Sequence, residues 1–425
     1  MTGPMLNHRS SLPLAGVLWL ASAVPLPAQE PGLMQRPQVA AALDALRTTN
    51  EWTLAQQVSL CEIPAPPFKE ATRAAEFRRR LEGLGYRGVR IDPEGNVIAE
   101  RPGTSRTGPR VVLSAHLDTV FPDTVNVSVR RDGTRLRGPG IGDDCRGLAT
   151  VLAVARALNE ARLQTAGTIV IVATVGEEGP GNLRGVRYLM DRRSAGETDY
   201  FISVDGAGLG LVSAAVGSHR YRVTIKGPGG HSYGAFGIPN PIHALGRAIA
   251  GIAAIQVPTT PKTTFNVGII EGGTSINSIA MAGVMEVDMR SESPVALDSL
   301  DARVHRAVQQ GIEAEHQRWP GTGGRLTVEW KEVGKRPAAV QPDTLSIVRT
   351  AIATAGALGF ITVPSASSTD ANYPMSLGIP AITIDGGGEG GGAHALSEWY
   401  DDGREGWKGP QWALMLVLSL AGVPR

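Results

Sequence analysis

The sequence predicts an α/β protein that has an open, mostly parallel sheet and a second, inserted α+β domain. Two observations predict this class. Short, nearly continuous runs of β-branched and apolar residues alternate with segments of helical apolar spacing, as in a parallel sheet covered by helices. Between about residues 213 and 333 the runs give way to strands that alternate polar and apolar residues. The chain has 425 residues, which is long enough for two or three domains.

The larger domain is predicted over residues 29–212 and 334–425. Its buried strands are expected at residues 111–115, 168–175, 200–204 and 381–384. Helices are expected at residues 37–60, 69–84, 148–161 and 345–357. The apolar segment 412–421 is too short to span a membrane, so we expect a buried C-terminal helix there.

The inserted domain is predicted over residues 213–333 as an α+β sandwich. Strand-like alternation occurs at residues 219–226, 264–270 and 284–290, and helical spacing occurs at 241–255 and 300–318. No repeat of fixed period and no low-complexity linker is visible in the sequence. We therefore expect one domain nested within the other rather than a tandem array.

Composition excludes several classes of protein. Apolar side chains make up 42% of the residues, which excludes a disordered chain. Lys and Arg total 41 against 40 Asp and Glu, giving a net charge of +1. No overall field therefore favours nucleic acid or an acidic membrane, and we expect no nucleic-acid partner.

The first 28 residues resemble a secretory signal peptide. His8 and Arg9 precede an apolar stretch over residues 12–26, and small residues offer cleavage sites ending near Ala23 or Ala28. An uncleaved anchor is the alternative, but the stretch is shorter than the roughly 20 residues that a spanning helix needs. The sequence thus predicts a secreted or periplasmic protein without stable membrane insertion.

Polar residues that can bind metal follow the predicted buried strands. The set consists of His116 and Asp118, Glu177 and Glu178, Asp205, His394 after a glycine run, and Asp143 in a glycine-rich loop. Ligands of open α/β sheets bind at the carboxyl ends of the strands, so we expect these side chains to converge. Imidazole and carboxylate without thiolate favour zinc, with cobalt or manganese as substitutes, and disfavour calcium.

Five ligands exceed what one catalytic zinc needs, which indicates two metal ions that share a carboxylate. The first ion is expected to bind His116 and Asp205, and the second to bind Glu178 and His394. Asp143 would bridge them. Asp118 would accept the second N–H of the His116 imidazole, and Glu177 would remain free as a general base.

The order of these motifs resembles a known family. His116-Leu-Asp118, Gly142-Asp-Asp-Cys-Arg-Gly147, Gly176-Glu-Glu178, Val204-Asp-Gly206 and Gly392-Ala-His394 look like the five metal-site motifs of the co-catalytic di-zinc metallopeptidases. That family, of aminoacylase-like metallo-hydrolases, includes peptidase T, carnosinase, glutamate carboxypeptidase, acetylornithine deacetylase and succinyl-diaminopimelate desuccinylase. The resemblance implies two Zn²⁺ per chain and a proton shuttle at Glu177.

The resemblance extends into the inserted block, which is similar to the lid, or dimerisation, domain of the family. It implies that His231 stabilises the oxyanion, often across a dimer interface, and that residues 213–333 form a homodimer contact. Substrate-binding positions are implied at Asn277, Arg290, Asp370 and Asn372. Two alternatives remain open at this point: His231 as an ordinary loop histidine, and Arg290 as a member of a structural ion pair.

The implied activity is hydrolysis of amide bonds in small peptides. Asp205 occupies a position where peptidase T and carnosinase carry Asp, which favours an aminopeptidase or a di/tripeptidase. A carboxypeptidase or an N-acyl-amino-acid deacylase is the alternative. A catalytically silent, metal-bound binding or dimer module is more remote, because Glu177 and all five ligands are present.

The two cysteines, Cys61 and Cys145, allow two interpretations. In an exported protein they can form a disulfide that fixes the loop of Asp143. Two buried thiols are the equally weighted alternative.

Overall fold

The computed structural model describes residues 32–321 and 323–424, so the predicted signal peptide at residues 1–28 lies outside the described residues. The helices are α1 (Pro37–Thr48), α2 (Asn50–Cys61), α3 (Ala71–Gly83), α4 (Cys145–Glu160), α5 (Arg184–Asp191), α6 (Pro241–Ala253), α7 (Pro294–Arg318), α8 (Ser346–Ala357), α9 (Asn372–Ser376) and α10 (Lys408–Ala421). The strands are β1 (Arg90–Ile91), β2 (Val97–Arg101), β3 (Arg110–His116), β4 (Arg130–Asp132), β5 (Arg135–Arg137), β6 (Thr168–Thr174), β7 (Tyr200–Val204), β8 (Leu211–Ala215), β9 (Gly217–Lys226), β10 (Gly230–His231), β11 (Thr263–Gly272), β12 (Ser278–Ile279), β13 (Ala282–Ser291), β14 (Thr327–Arg336), β15 (Ala339–Val340), β16 (Pro364–Ser367), β17 (Ala381–Ile384), β18 (Glu389–Gly391) and β19 (Trp399–Asp401).

A nine-stranded sheet forms the larger domain, with the order β1-β2-β6-β3-β7-β17-β8-β15 and β16 paired to β8. Its central strands β6, β3, β7 and β17 are parallel. Val111 and Leu113 of β3 pack in a core cluster with residues of α4 and α10, whereas Val112 packs in a second cluster with residues of α5. Helices cover both faces, which explains why the strand sequences are continuously apolar. The predicted α/β class is confirmed.

One predicted helix is two helices in the structure. The segment 37–60 divides between α1 and α2 at Thr49, whose φ of −108° and ψ of 22° are not helical. The hydroxyl groups of Thr48 and Thr49 donate hydrogen bonds to the backbone carbonyl groups of Asp44 and Ala45. Such local bonds compete with continued helix geometry, and apolar periodicity alone does not reveal them.

The inserted domain, here called the lid domain, is a two-layer α+β sandwich. Its antiparallel sheet has the order β11-β13-β9-β14, and α6 and α7 pack on one face. Alternate residues such as Val223, Ile225 and Met285 form a core with these helices, and the residues between them are more exposed. The chain enters the lid domain at Val216 and leaves it between β14 and β15, close to the predicted boundaries at 213 and 333.

The C-terminal segment forms α10, which is almost entirely buried in the core of the larger domain. Within residues 32–321 and 323–424, no helix is both long enough and apolar enough to cross a lipid bilayer.

Candidate active site

The carboxyl ends of four adjacent strands bring the predicted metal ligands to one edge of the large sheet. His116 ends β3, and Asp205 directly follows β7. After β6 the backbone turns at Gly176, which has a φ of 65°. A Cβ atom there would lie 2.6 Å from the Arg184 side chain, so glycine is required for the turn that presents the next residue, Glu177.

Two trios of ligand atoms share Asp143. In the first trio, His116 Nε2 lies 3.0 Å from Asp143 Oδ1 and 3.9 Å from Asp205 Oδ1. In the second, His394 Nε2 lies 3.1 Å from Asp143 Oδ2 and 2.9 Å from Glu178 Oε1. The two oxygens of Asp143 thus point to different histidines. This is the division of ligands that the sequence predicts for two metal positions with a bridging carboxylate.

The chemistry of these residues fits divalent cations. Burial, followed by the charge of Asp143, raises the pKa of Asp205 well above its usual range. Hydrogen bonds to Asp143 and Glu178 raise the pKa of His394 to about 10. Crowded, buried carboxylates are costly unless cations neutralise them. Nitrogen and oxygen donors without thiolate suit zinc, manganese or cobalt.

Asp118 lies beside the His116 imidazole, as the sequence predicts, and it also binds backbone groups of the turn after β6. His116 Nδ1 lies 3.1 Å from the backbone oxygen of Asp118 but 3.6 Å from its carboxylate. The carboxylate also accepts the backbone N–H groups of Glu177 at 3.0 Å and Glu178 at 2.8 Å. Asp118 therefore fixes the turn that carries the proposed base and one candidate ligand, because each of its two oxygens accepts a backbone N–H of this turn.

Glu177 is held by Arg336, which sequence reasoning missed. Arg336 Nη1 donates to Glu177 Oε1 at 2.8 Å, and Nη2 donates to the backbone oxygen of Glu177. Burial raises the pKa of Glu177 to about 8, and the charge of Arg336 opposes this rise. Arg336 ends the last lid strand and belongs to none of the recognised motifs, so the sequence contained no signal for this contact.

Two buried carboxylates shape the loop of the bridging ligand. Glu398 accepts the backbone N–H groups of Gly140, Gly142 and Asp143 at 2.8–2.9 Å. Asp144 accepts the backbone N–H of Gly147 and so caps α4. Sequence reasoning missed Glu398, because its partner Gly140 lies 258 residues earlier in the chain.

The structure contains the disulfide that the sequence left open. Cys61 and Cys145 are bonded, with their Cα atoms 5.4 Å apart, and both are buried. The bond joins the end of α2 to the first residue of α4. Because Asp143 lies two residues before Cys145, the disulfide restrains the loop that carries Asp143.

A cavity of about 520 Å³ lies between the two domains and contains the ligand trios. Its lid wall includes Arg220, Arg290 and Arg336, and its other wall includes Thr383 and Asp385. Arg290 lines the cavity and also forms an ion pair, with its Nε 2.8 Å from Asp288 Oδ2. The two interpretations of Arg290 are therefore compatible.

His231 and Asn277 do not line this cavity. Both are exposed on the lid domain, where His231 Nδ1 accepts the N–H of Gly234 at 3.2 Å. The backbone oxygen of Asn277 accepts the N–H of Ser232 at 2.9 Å. The structure thus brings these two residues near each other but not to the metal ligands of the same chain.

Asp370 and Asn372 are buried, and neither lines the cavity, so the structure does not support direct substrate contact. Asp370 accepts a hydrogen bond from the Thr174 hydroxyl. The amide nitrogen of Asn372 donates to the carbonyls of Val216 at 2.9 Å and Pro337 at 3.1 Å. Since these are the two points where the chain crosses between domains, Asn372 ties both crossings to the larger domain.

This fold and this ligand set define a class of metal-dependent hydrolases with two neighbouring metal positions. Residues 112–406 match the peptidase family M20/M25/M40, and the chain belongs to this family. It is accordingly a hydrolase.

Three comparisons place the chain among its relatives. Succinyl-diaminopimelate desuccinylase of Bordetella petrii is 30% identical over 256 residues, which cover 56% of this chain and 67% of the relative. The aminopeptidase PepT of Bacillus cereus has a TM-score of 0.71 at 22% identity, covering 88% of this chain and 99% of that one. YXEP of Bacillus subtilis, a dinuclear metal binding peptidase of the M20 family, has a TM-score of 0.64 at 20% identity, covering 89% and 99%. The two structural matches confirm the fold.

Proposed function

We propose that this protein is an exported metallo-exopeptidase that hydrolyses amide bonds of small peptides with two Zn²⁺ ions per chain. Co²⁺ or Mn²⁺ would be substitutes. The observation that carries the proposal is the position of Glu177, a carboxylate beside two ligand trios that share Asp143. An aminopeptidase or di/tripeptidase, similar to peptidase T, is the form we favour.

When bound, the metal ions would polarise the scissile carbonyl and lower the pKa of water to about 7. Glu177 would take the proton of the attacking water and deliver it to the leaving amine. Arg336 holds one oxygen of Glu177 and thereby orients the other toward the cavity. Asp118 fixes the backbone of Glu177, so the base cannot drift from the ligand Glu178 beside it.

The lid domain would complete the site in a homodimer through residues 213–333. His231 would reach the active site of the partner and stabilise the oxyanion. Support comes from its absence from the cavity of its own chain and from the exposed apolar side chains of Tyr233, Phe236, Ile276 and Met281 in the same domain. Exposed apolar side chains grouped on one surface are typical of protein–protein contact sites.

Two further points support the details of the proposal. Arg220 and Arg290 are suited to a substrate carboxylate, which keeps a carboxypeptidase or N-acyl-amino-acid deacylase as the second candidate function.

The Cys61–Cys145 disulfide is typical of an oxidising compartment, which supports export through the predicted signal peptide to a secreted or periplasmic location.

The test compares the metal-reconstituted protein with its Glu177→Gln variant on a peptide panel, with bound metal quantified in both. We expect about two metal ions per chain in each and a loss of turnover by several orders of magnitude in the variant. Glu313→Gln, on the exposed side of α7, is the matched control and should keep full activity. Undiminished turnover in Glu177→Gln, or no cleavage of any peptide by the metal-loaded protein, would refute the proposed function.

A further inference from the structure

The lid wall of the active-site cavity carries a preorganised pair of arginines. Asp288 accepts a hydrogen bond from the Nε of Arg220 on one oxygen and from the Nε of Arg290 on the other, both at 2.8 Å. Arg220 lies opposite Asp288 in the pairing of β9 with β13, so the two arginines are diagonal neighbours on one sheet face. Among the described residues, nothing accepts a hydrogen bond from their Nη atoms. The group has one net positive charge and free donors, which suits one carboxylate.

The opposite wall, in the larger domain, carries a carboxylate with no positive partner. Asp385 follows β17 and lines the same cavity. Its Oδ2 accepts the backbone N–H of Gly210 at 2.7 Å, and within the described residues Asp385 forms no ion pair with an Arg, Lys or His side chain. A Cβ atom at either Gly208 or Gly210 would collide with this carboxylate, so the two glycines provide the room it occupies. Burial without a positive partner is unfavourable for a carboxylate, and a cationic group beside it would offset this cost.

We propose that Asp385 receives the free α-ammonium group of the substrate, opposite the two arginines to which the proposed function assigns the substrate carboxylate. The site would thus select short zwitterionic peptides over N-acyl amino acids. This inference rests on the proposed function and specifies its substrate class. A cavity of about 520 Å³ is the size that encloses a small ligand, which suits a di- or tripeptide whose two ends meet opposite charges.

The experiment measures kcat/KM of the metal-loaded protein for one dipeptide in three forms: free, N-acetylated and C-amidated. Loss of one charge-assisted hydrogen bond to the substrate changes kcat/KM by roughly 10- to 100-fold. We expect Asp385→Asn to lower kcat/KM by about that factor for the free dipeptide, mainly through KM, and to leave the N-acetyl form nearly unchanged. Arg220→Gln should lower kcat/KM by a similar factor for the free dipeptide and leave kcat/KM for the C-amidated form nearly unchanged.

Matched controls lie outside the cavity. Arg222→Gln changes an arginine two residues along the same strand face, where it pairs with Glu271 and Glu286. Asp123→Asn changes an exposed carboxylate. Neither control should alter the preference among the three forms.

Two results would overturn the inference while the hydrolase function stands: a wild-type protein that prefers the N-acetyl form, or an Asp385→Asn variant that slows the free and N-acetyl forms equally. A second arm measures binding of the free dipeptide to Glu177→Gln by calorimetry, with and without Asp385→Asn. Weaker binding of the dipeptide in the double variant supports the role of Asp385. If the wild type shows no turnover but this difference in binding remains, the proposed function fails and the role of Asp385 stands. Equal binding in both variants refutes the role of Asp385.

Discussion

Replacing Asp385 by Asn should stabilise the protein that carries no metal or substrate. Burial raises the pKa of this carboxyl from 3.8 to about 6, while the bond from Gly210 lowers it only in part. Each pKa unit corresponds to about 1.4 kcal/mol, so the ionised side chain costs the folded state about 3 kcal/mol at neutral pH. Asn has nearly the same shape and can still accept the Gly210 N–H, so it removes the charge without removing this bond.

The sign of the pH dependence follows from a folded-state pKa above the unfolded value. Below pH 3.8 the carboxyl is neutral in both states, and the substitution should change the free energy of unfolding little. The increase in the free energy of unfolding caused by the substitution grows as the pH rises from 3.8 to 6, and it is constant above that window. At pH 5 it should be about half of its value at pH 8.

Thermal unfolding of metal-free protein at pH 5 and pH 8 measures this effect. With an unfolding entropy of about 2 cal/mol/K per residue, 3 kcal/mol corresponds to a rise in Tm of roughly 3 °C at pH 8. Asp123→Asn is the control, because the Lys69 ammonium lowers the pKa of this exposed carboxyl and its loss should not stabilise the fold. An unchanged or lower Tm for Asp385→Asn, or an equal rise at both pH values, would contradict the reasoning.

Three further predictions concern the scaffold of the site. Chelation should abolish activity and lower Tm, because Asp143, Asp205 and Glu178 then repel one another. Addition of Zn²⁺, Mn²⁺ or Co²⁺, but not Ca²⁺, should restore both activity and Tm. Retained activity after complete metal removal would contradict the ligand assignment. Replacing both disulfide cysteines by Ser opens a closed loop with a sequence separation of 84 residues and should reduce the free energy of unfolding by about 4 to 5 kcal/mol, measured by denaturant titration beside the non-reduced wild type. Asn372→Ala leaves the carbonyl groups of Val216 and Pro337 without their donor and should lower the free energy of unfolding by about 2 to 4 kcal/mol, with unchanged metal content. Normal stability in a thermal scan would show that other contacts hold the two points where the chain crosses between the domains.

The sequence predicted most of the elements and the candidate metal ligands because both have local signatures. The strands β3, β7 and β17 are continuous apolar runs, and each is followed at once by its polar residue or by the glycine run that leads to one. Parallel strands end at one edge, so the convergence of His116 and Asp205 followed from topology, whereas Asp143 reaches the same edge from the glycine-rich loop before α4. The assignment of these side chains to two metal positions around one bridging carboxylate stays a prediction.

The tertiary structure alone decided which groups hold these ligands in place. Arg336 reaches Glu177 across 159 residues of sequence, and Glu398 reaches the Gly140 backbone across 258. Asn372 was predicted to bind substrate, but the folded chain directs its amide to two backbone crossings instead. Hydrogen bonds of this kind depend on distances set by domain packing, and neither periodicity nor motif spacing encodes them.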